Sequence, residues 1–83
     1  MSDDIRLYEV VELVNVAHAR HGQRGIVNNA LVLEGEIVLY GVHFIDDIET
    51  VDPDDLQQTG ERISEQEYKS GAWPPACLRS THQ

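Results

Sequence analysis

Apolar and polar positions along this chain of 83 residues alternate in short β-type runs punctuated by turn-forming residues. "IRLYEVVELV" (5–14) is aliphatic and β-branched, interrupted by Glu9 and Glu12. Helix and strand both fit that spacing; the paired valines and nearby turn signals favour a strand, because β-branched side chains lose χ1 freedom in a helix. "NVAHARHGQRG" (15–25) has little periodicity and closes on two glycines, which predicts a long loop. In "IVNNALVLEGEIVLYGVHFI" (26–45), two β-rich runs flank Glu34-Gly35, a hairpin signal with a glycine available for positive φ. The second run is apolar on both alternating faces, with Ile37, Leu39 and Ile45 on one and Val38, Tyr40, Val42 and Phe44 on the other. It reads as a central strand, covered by the core on one side and by a neighbour or partner on the other.

The rest of the chain is punctuated more tightly. "IETV" (48–51) is a short strand, and "DPDDL" (52–56) is one helical turn, with Asp52 as cap and Pro53 at its first position. A further turn is expected at Thr59-Gly60, before a short run to Ile63. Ser64 and Glu67 have the spacing of a capping box, and Gly71 is the stop of that helical turn. "AWPPACLRSTHQ" (72–83) carries two prolines and no pattern; it reads as an extended or disordered tail, with Trp73 docking on the rest. Five short strands, a long first loop, one tight hairpin and a helical turn before the last strand make a mainly β fold. That order is the small five-stranded SH3-like barrel, here one domain over 1–71, with the tail over 72–83.

Charge narrows the function classes. Fifteen acids against six bases give a net charge of −9, and eleven of the acids lie between Glu34 and Glu67 with Arg62 as the only Lys or Arg in that stretch. Phosphate binding needs the opposite sign, because Lys and Arg supply its affinity. An acidic face attracts basic partners instead. No apolar run approaches the ~20 residues of a membrane span. The beginning "MSDDIRLYEV" lacks the basic-then-apolar pattern of a signal peptide, and Cys77 is the only cysteine. The expectation is a soluble cytoplasmic protein that contacts neither membrane nor nucleic acid directly.

Candidate chemistry is thin. His18 and His21 have i, i+3 spacing but no third ligand nearby in sequence, so they read as loop histidines. The acidic run over 46–55 lacks the spacing and glycine of a calcium loop. Cys77 sits beside prolines with no histidine to activate it, and Ser64 fits a cap better than a nucleophile. No pair of carboxylates is singled out for acid–base work. The expectation is no enzyme, no metal and no cofactor. In "HGQRGIV" (21–27), Gly22 and Gly25 turn the chain into the second strand, and Arg24 pairs with an acid of the protein itself. Two arginines, Arg20 and Arg24, do not outweigh eleven clustered acids in steering a polyanion.

"YEVVELV", "GQRGIV", "YGVHF" and "VDPDDLQQTGERISEQEYKSG" together resemble, in that order, a family of small bacterial immunity proteins from polymorphic toxin systems. The resemblance spans about residues 7–71 and is most distinctive over Leu56 to Gly60. It implies a protein that binds a cognate toxin, nucleases among them, and neutralises it by protein–protein contact. The acids Asp46, Asp47, Glu49, Asp52, Asp54 and Asp55 would be the contact residues, with Tyr40 or Trp73 as an aromatic anchor. Other classes remain: a phage-type DNA mimic acting on a repressor or nuclease effector, a module of a ribosomal or RNA complex, and an accessory subunit of an enzyme. Open strand edges also leave room for a homodimer.

Overall fold

The β-branched runs pair into a single antiparallel sheet. The protein's structure, a computed structural model, describes residues 5–79, with Arg79 by its backbone alone. The strands are β1 (Glu9–Leu13), β2 (Arg24–Leu33), β3 (Glu36–His43), β4 (Ile48–Val51) and β5 (Leu56–Arg62). A 3-10 turn, Pro53–Asp55, separates β4 from β5, and two short helices follow, α1 (Glu65–Ser70) and α2 (Ala76–Arg79). The order across the sheet is β4-β3-β2-β1-β5, so the protein is mainly β and its last strand returns to pair with the first. Among the described residues β4 and β5 are the two edges and do not pair. Val51 of β4 and Leu56 of β5 nevertheless join one buried cluster with Val11, Leu13, Val27, Tyr40, Val42 and Phe44. Both edges meeting the same core requires the sheet to bend around it.

Local chemistry sets the turns. Glu34 and Gly35 both have positive φ (52° and 80°), the two-residue hairpin geometry whose twist matches the flanking strands. Asp52 accepts a hydrogen bond from the Asp54 N–H with Pro53 next in line, so the 3-10 turn forms as its residues predict. Ser64 accepts from the Glu67 N–H and caps α1. Gly71 ends that helix with negative φ (−79°), and a Cβ there would lie 2.6 Å from the Glu67 carbonyl oxygen. Close approach, not left-handed backbone, therefore explains this glycine.

The expected turn at Thr59-Gly60 is instead the interior of β5. Gly60 has φ +89° and the β1–β5 register shifts between Glu9 and Val11, so positive φ serves a bulge rather than a reversal. Thr59 Oγ1 donates to the Val10 carbonyl at 2.8 Å and holds the strand there.

Gly22 and Gly25 divide their work. Gly22 has φ +88° with open space around it, whereas a Cβ on Gly25 would lie 2.6 Å from Val42 Cγ1 and 2.9 Å from the His43 carbonyl oxygen. Gly25→Ala is expected to cost about 1–3 kcal/mol, as overpacking does. Gly22→Ala is expected to cost about 1–2 kcal/mol, through backbone conformation alone. Urea unfolding of both variants checks this; a Gly25→Ala variant as stable as the parent contradicts the close approach of β2 to β3.

Residues 72–79 are more than a bare extension. Leu78 and Pro75 are buried, and Leu78 joins Val10, Ile26 and Ile63 in a second cluster on the other face of β1 and β2. Trp73 stacks on His43 with ring centroids 3.7 Å apart, and its indole N–H donates to the Ile45 carbonyl at 3.0 Å. Trp73 thus docks as expected, while α2 lies in the stretch read as patternless. Residues 80–83 of the expected tail lie outside the described residues.

Candidate acidic interface

The acids read as contact residues fall into two groups. Arg20, at the far end of the first loop, reaches across to Asp46 on the β3–β4 turn and Glu49 on β4. Its Nε donates to Glu49 at 2.6 Å and its Nη1 to Asp46 at 2.8 Å. The guanidinium also lies 4.9 Å from the centroid of the Phe44 ring, and its side chain is only 14% exposed. These contacts hold the Arg20 guanidinium above its ordinary range, through Glu49 first and Asp46 second, and pull the Asp46 carboxyl below the usual carboxylate value. Asp46 and Glu49 are therefore occupied in clamping the loop. Arg24 lies 3.8 Å from Glu12, an internal pairing as its position suggested. Neither arginine of the basic spot is left without an acidic neighbour.

Burial predicts an unequal clamp. Glu49 is 37% exposed and Asp46 71%, so the Glu49 limb lies in the less screened setting. A double-mutant cycle of Arg20→Met with Glu49→Gln is expected to show stronger coupling than the same cycle with Asp46→Asn. Raising salt should erode the Asp46 coupling first. Equal couplings would contradict this geometry.

The second group is unclamped. Asp47, Asp52 and Asp54 are exposed, and no Lys or Arg among the described residues lies within ion-pair distance of them. The Asp47 carboxylate accepts from the Ile48 N–H and that of Asp52 from the Asp54 N–H, while their carbonyls accept from the Phe44 and Asp55 N–H groups. Asp55 is half-buried; its carboxylate accepts from Asn15 Nδ2 at 3.1 Å, and its carbonyl accepts from the Val14 N–H. Glu34 and Glu36, at the hairpin tip, are exposed and likewise lack a cationic partner among the described residues. Three of the six acids thus offer free charge, beside two glutamates that had not been placed in the site.

Of the two aromatic anchors, Tyr40 is withdrawn from the surface. It is 4% exposed within the core and donates its hydroxyl proton to the Ile5 carbonyl at 3.1 Å. Both faces of β3 being apolar, alternation alone did not say which face would turn inward. Trp73 is half-buried in an aromatic group that sequence reasoning missed. The Tyr68 ring lies edge-on to both Trp73 and His43 and 5.4 Å from Tyr8, and the Tyr68 hydroxyl is 2.9 Å from His43 Nδ1. Asn28 Nδ2 donates to the same hydroxyl at 3.4 Å, leaving its buried Oδ1 unpartnered. No local signal joins these residues, since β1, β2, β3 and α1 must first come together.

Burial pushes the His43 imidazole below its ordinary value, with Asp47 opposing. The unfolded chain therefore takes up this proton first, near the ordinary histidine value of about 6.5. Stability should fall as pH drops below that value, until the lowered folded value is passed. His43→Gln is expected to flatten the decline. Urea midpoints between about pH 7.5 and 5 check it; parallel curves for the two proteins would contradict a half-buried His43 whose burial disfavours the charged form.

The remaining candidates offer little chemistry. His18 Nδ1 accepts from the Arg20 N–H inside the loop, and burial raises the Cys77 thiol. Among the described residues no three His, Cys, Asp or Glu side chains gather as a metal-binding group. No described helix is long and apolar enough to cross a membrane. Comparison with known proteins finds no matching family model, no matching characterised protein and no matching solved structure.

Proposed function

We propose that this chain is a non-catalytic acidic binding protein of the cytoplasm, of the immunity or inhibitor type, that neutralises a basic protein toxin by contact. The observation carrying this reading is the placement of Asp47, Asp52 and Asp54, exposed and without a Lys or Arg partner among the described residues, on the β3–β4 turn and the 3-10 turn. A surface that keeps like charges unneutralised stores repulsion, which a cationic partner relieves while its approach is accelerated. A nuclease toxin suits this well, since its nucleic-acid site is itself basic. The inward-turned Arg20 and the Arg24–Glu12 pairing speak against RNA as partner.

Co-expression tests the reading. The product of the neighbouring gene is expressed alone, then with this protein, and growth is followed. Expected are toxicity alone, rescue by the wild type, and weaker rescue by D47N/D52N/D54K, whose amides keep the turn-capping oxygens. A harmless neighbour, or equal rescue by both proteins, would overturn it.

A further inference from the structure

β3 runs from Glu36 to His43, but β4 pairs only with Tyr40 through His43. Residues 36–39 therefore have no strand partner on the β4 side among the described residues. The ribbon around them is apolar: Ile37, Val38 and Leu39 are half-buried, and Leu31, Val32 and Leu33 on β2 are 48%, 53% and 56% exposed. Sheet edges are commonly guarded by lysine, proline or a bulge, because an open apolar edge invites another strand. Here 28–39 contains neither lysine nor proline, although Leu31 pairs with Leu39 and Val32 with Ile37, which leaves Val38 as a bulged residue of β3 within this edge.

We propose that the open edge of β3 at 36–39 takes up, as an added strand, an extended segment of a partner protein with apolar residues alternating with basic ones. Main-chain pairing would supply affinity and alternate side chains the specificity, as in other strand additions. Three observations select this occupant. A hollow of about 350 Å³ lies beside the edge, lined by Gly35, Glu36, Ile37, Tyr40 and Pro53, and gives a side chain of the guest somewhere to go. Acids stand at both ends of the edge, Glu34 and Glu36 at the tip and Asp52 and Asp54 around the 3-10 turn that packs on β3. Four residues of edge span about 13 Å, short enough for one guest segment to meet both acidic ends. A second copy of this chain is disfavoured, because it would bring Glu34 and Glu36 against their own kind at a net charge of −9 per chain. The open side of β2 lacks this flanking by the 3-10 turn, which is why β3 is chosen.

The sign of the partner's charge rests on the inhibitor reading, but the edge is tested separately. The probe is the synthetic octapeptide Lys-Val-Lys-Val-Lys-Val-Lys-Val, titrated into the ¹⁵N-labelled full chain and followed by NMR amide shifts. Shifts confined to 36–39 and 52–54 are expected, with slowed hydrogen exchange at 37–39. Replacing the peptide's two central valines with proline removes backbone donors without touching the protein, and should weaken binding at least about tenfold. The E36K/D54K protein should lose a comparable factor. Shifts along 28–33, equal binding of the proline peptide, or no shifts at millimolar peptide would each overturn the proposal. So would concentration-dependent shifts at 36–39 without peptide, which mean a second copy. A basic protein captured equally by wild type and E36K/D54K sinks the edge but not the inhibitor reading. Peptide bound at the edge, with no basic protein captured, supports the edge and sinks that reading.

Discussion

Phe44→Ala is expected to cost about 3–5 kcal/mol, the largest effect of any single truncation considered for this protein. Phe44 is fully buried in the cluster that holds Val51 and Leu56, so it sits where both edges of the bent sheet meet the same core. Removing the ring leaves a cavity there and takes away the surface on which the Arg20 guanidinium rests. Against a total stability of about 5–15 kcal/mol, such a loss leaves a marginal fold. Phe44→Leu should cost less than about 1.5 kcal/mol, since most of the volume is kept. Urea unfolding compares them; an alanine variant less than about 1 kcal/mol below wild type would contradict a core shared by both edges.

Leu78→Ala is expected to cost about 2–5 kcal/mol. Leu78 is 2% exposed and touches a cluster built from β1, β2 and Ile63, bordered by Tyr8, Tyr68, Trp73 and Cys77. Were the chain after Gly71 a loose tail, the substitution would stay within about ±0.5 kcal/mol, as surface changes do. Urea unfolding again decides. An unaffected midpoint would return these residues to the status of an extension, and leave the β1–β2 face without its cover.

These two residues illustrate how far local pattern reaches. Elements built from neighbours in sequence were legible: the Glu34-Gly35 hairpin, the Asp52-capped turn at Pro53 and the Ser64 cap of α1 each depend on residues within three positions. Thr59-Gly60 was misread because a glycine at positive φ suits a turn and a bulge alike. What decides is the bond from Thr59 to Val10, 49 residues away. Leu78 carries no periodic signal in "PPACLRS", and its burial needs Ile63, Val10 and Ile26 already assembled. The interface follows the same rule. Clustering of acids was visible, but Arg20 selects Asp46 and Glu49 from across 26 and 29 residues, a choice no local pattern encodes. Tyr40 lay on one of two apolar faces, and only the packed core distinguishes them.

Free acids on the β3–β4 and 3-10 turns are the heart of the account, and capture by the purified protein tests them most directly. Wild type, D47N/D52N/D54K and Arg24→Ala would be immobilised and exposed to lysate of their own cells at low and at moderate salt. One basic protein is expected on the wild type and on Arg24→Ala, weakened by salt and lost on the charge-depleted variant. Ribosomes or RNA held by the wild type, undiminished in D47N/D52N/D54K and released by Arg24→Ala, would contradict it and give the "HGQRGIV" turn the binding role instead.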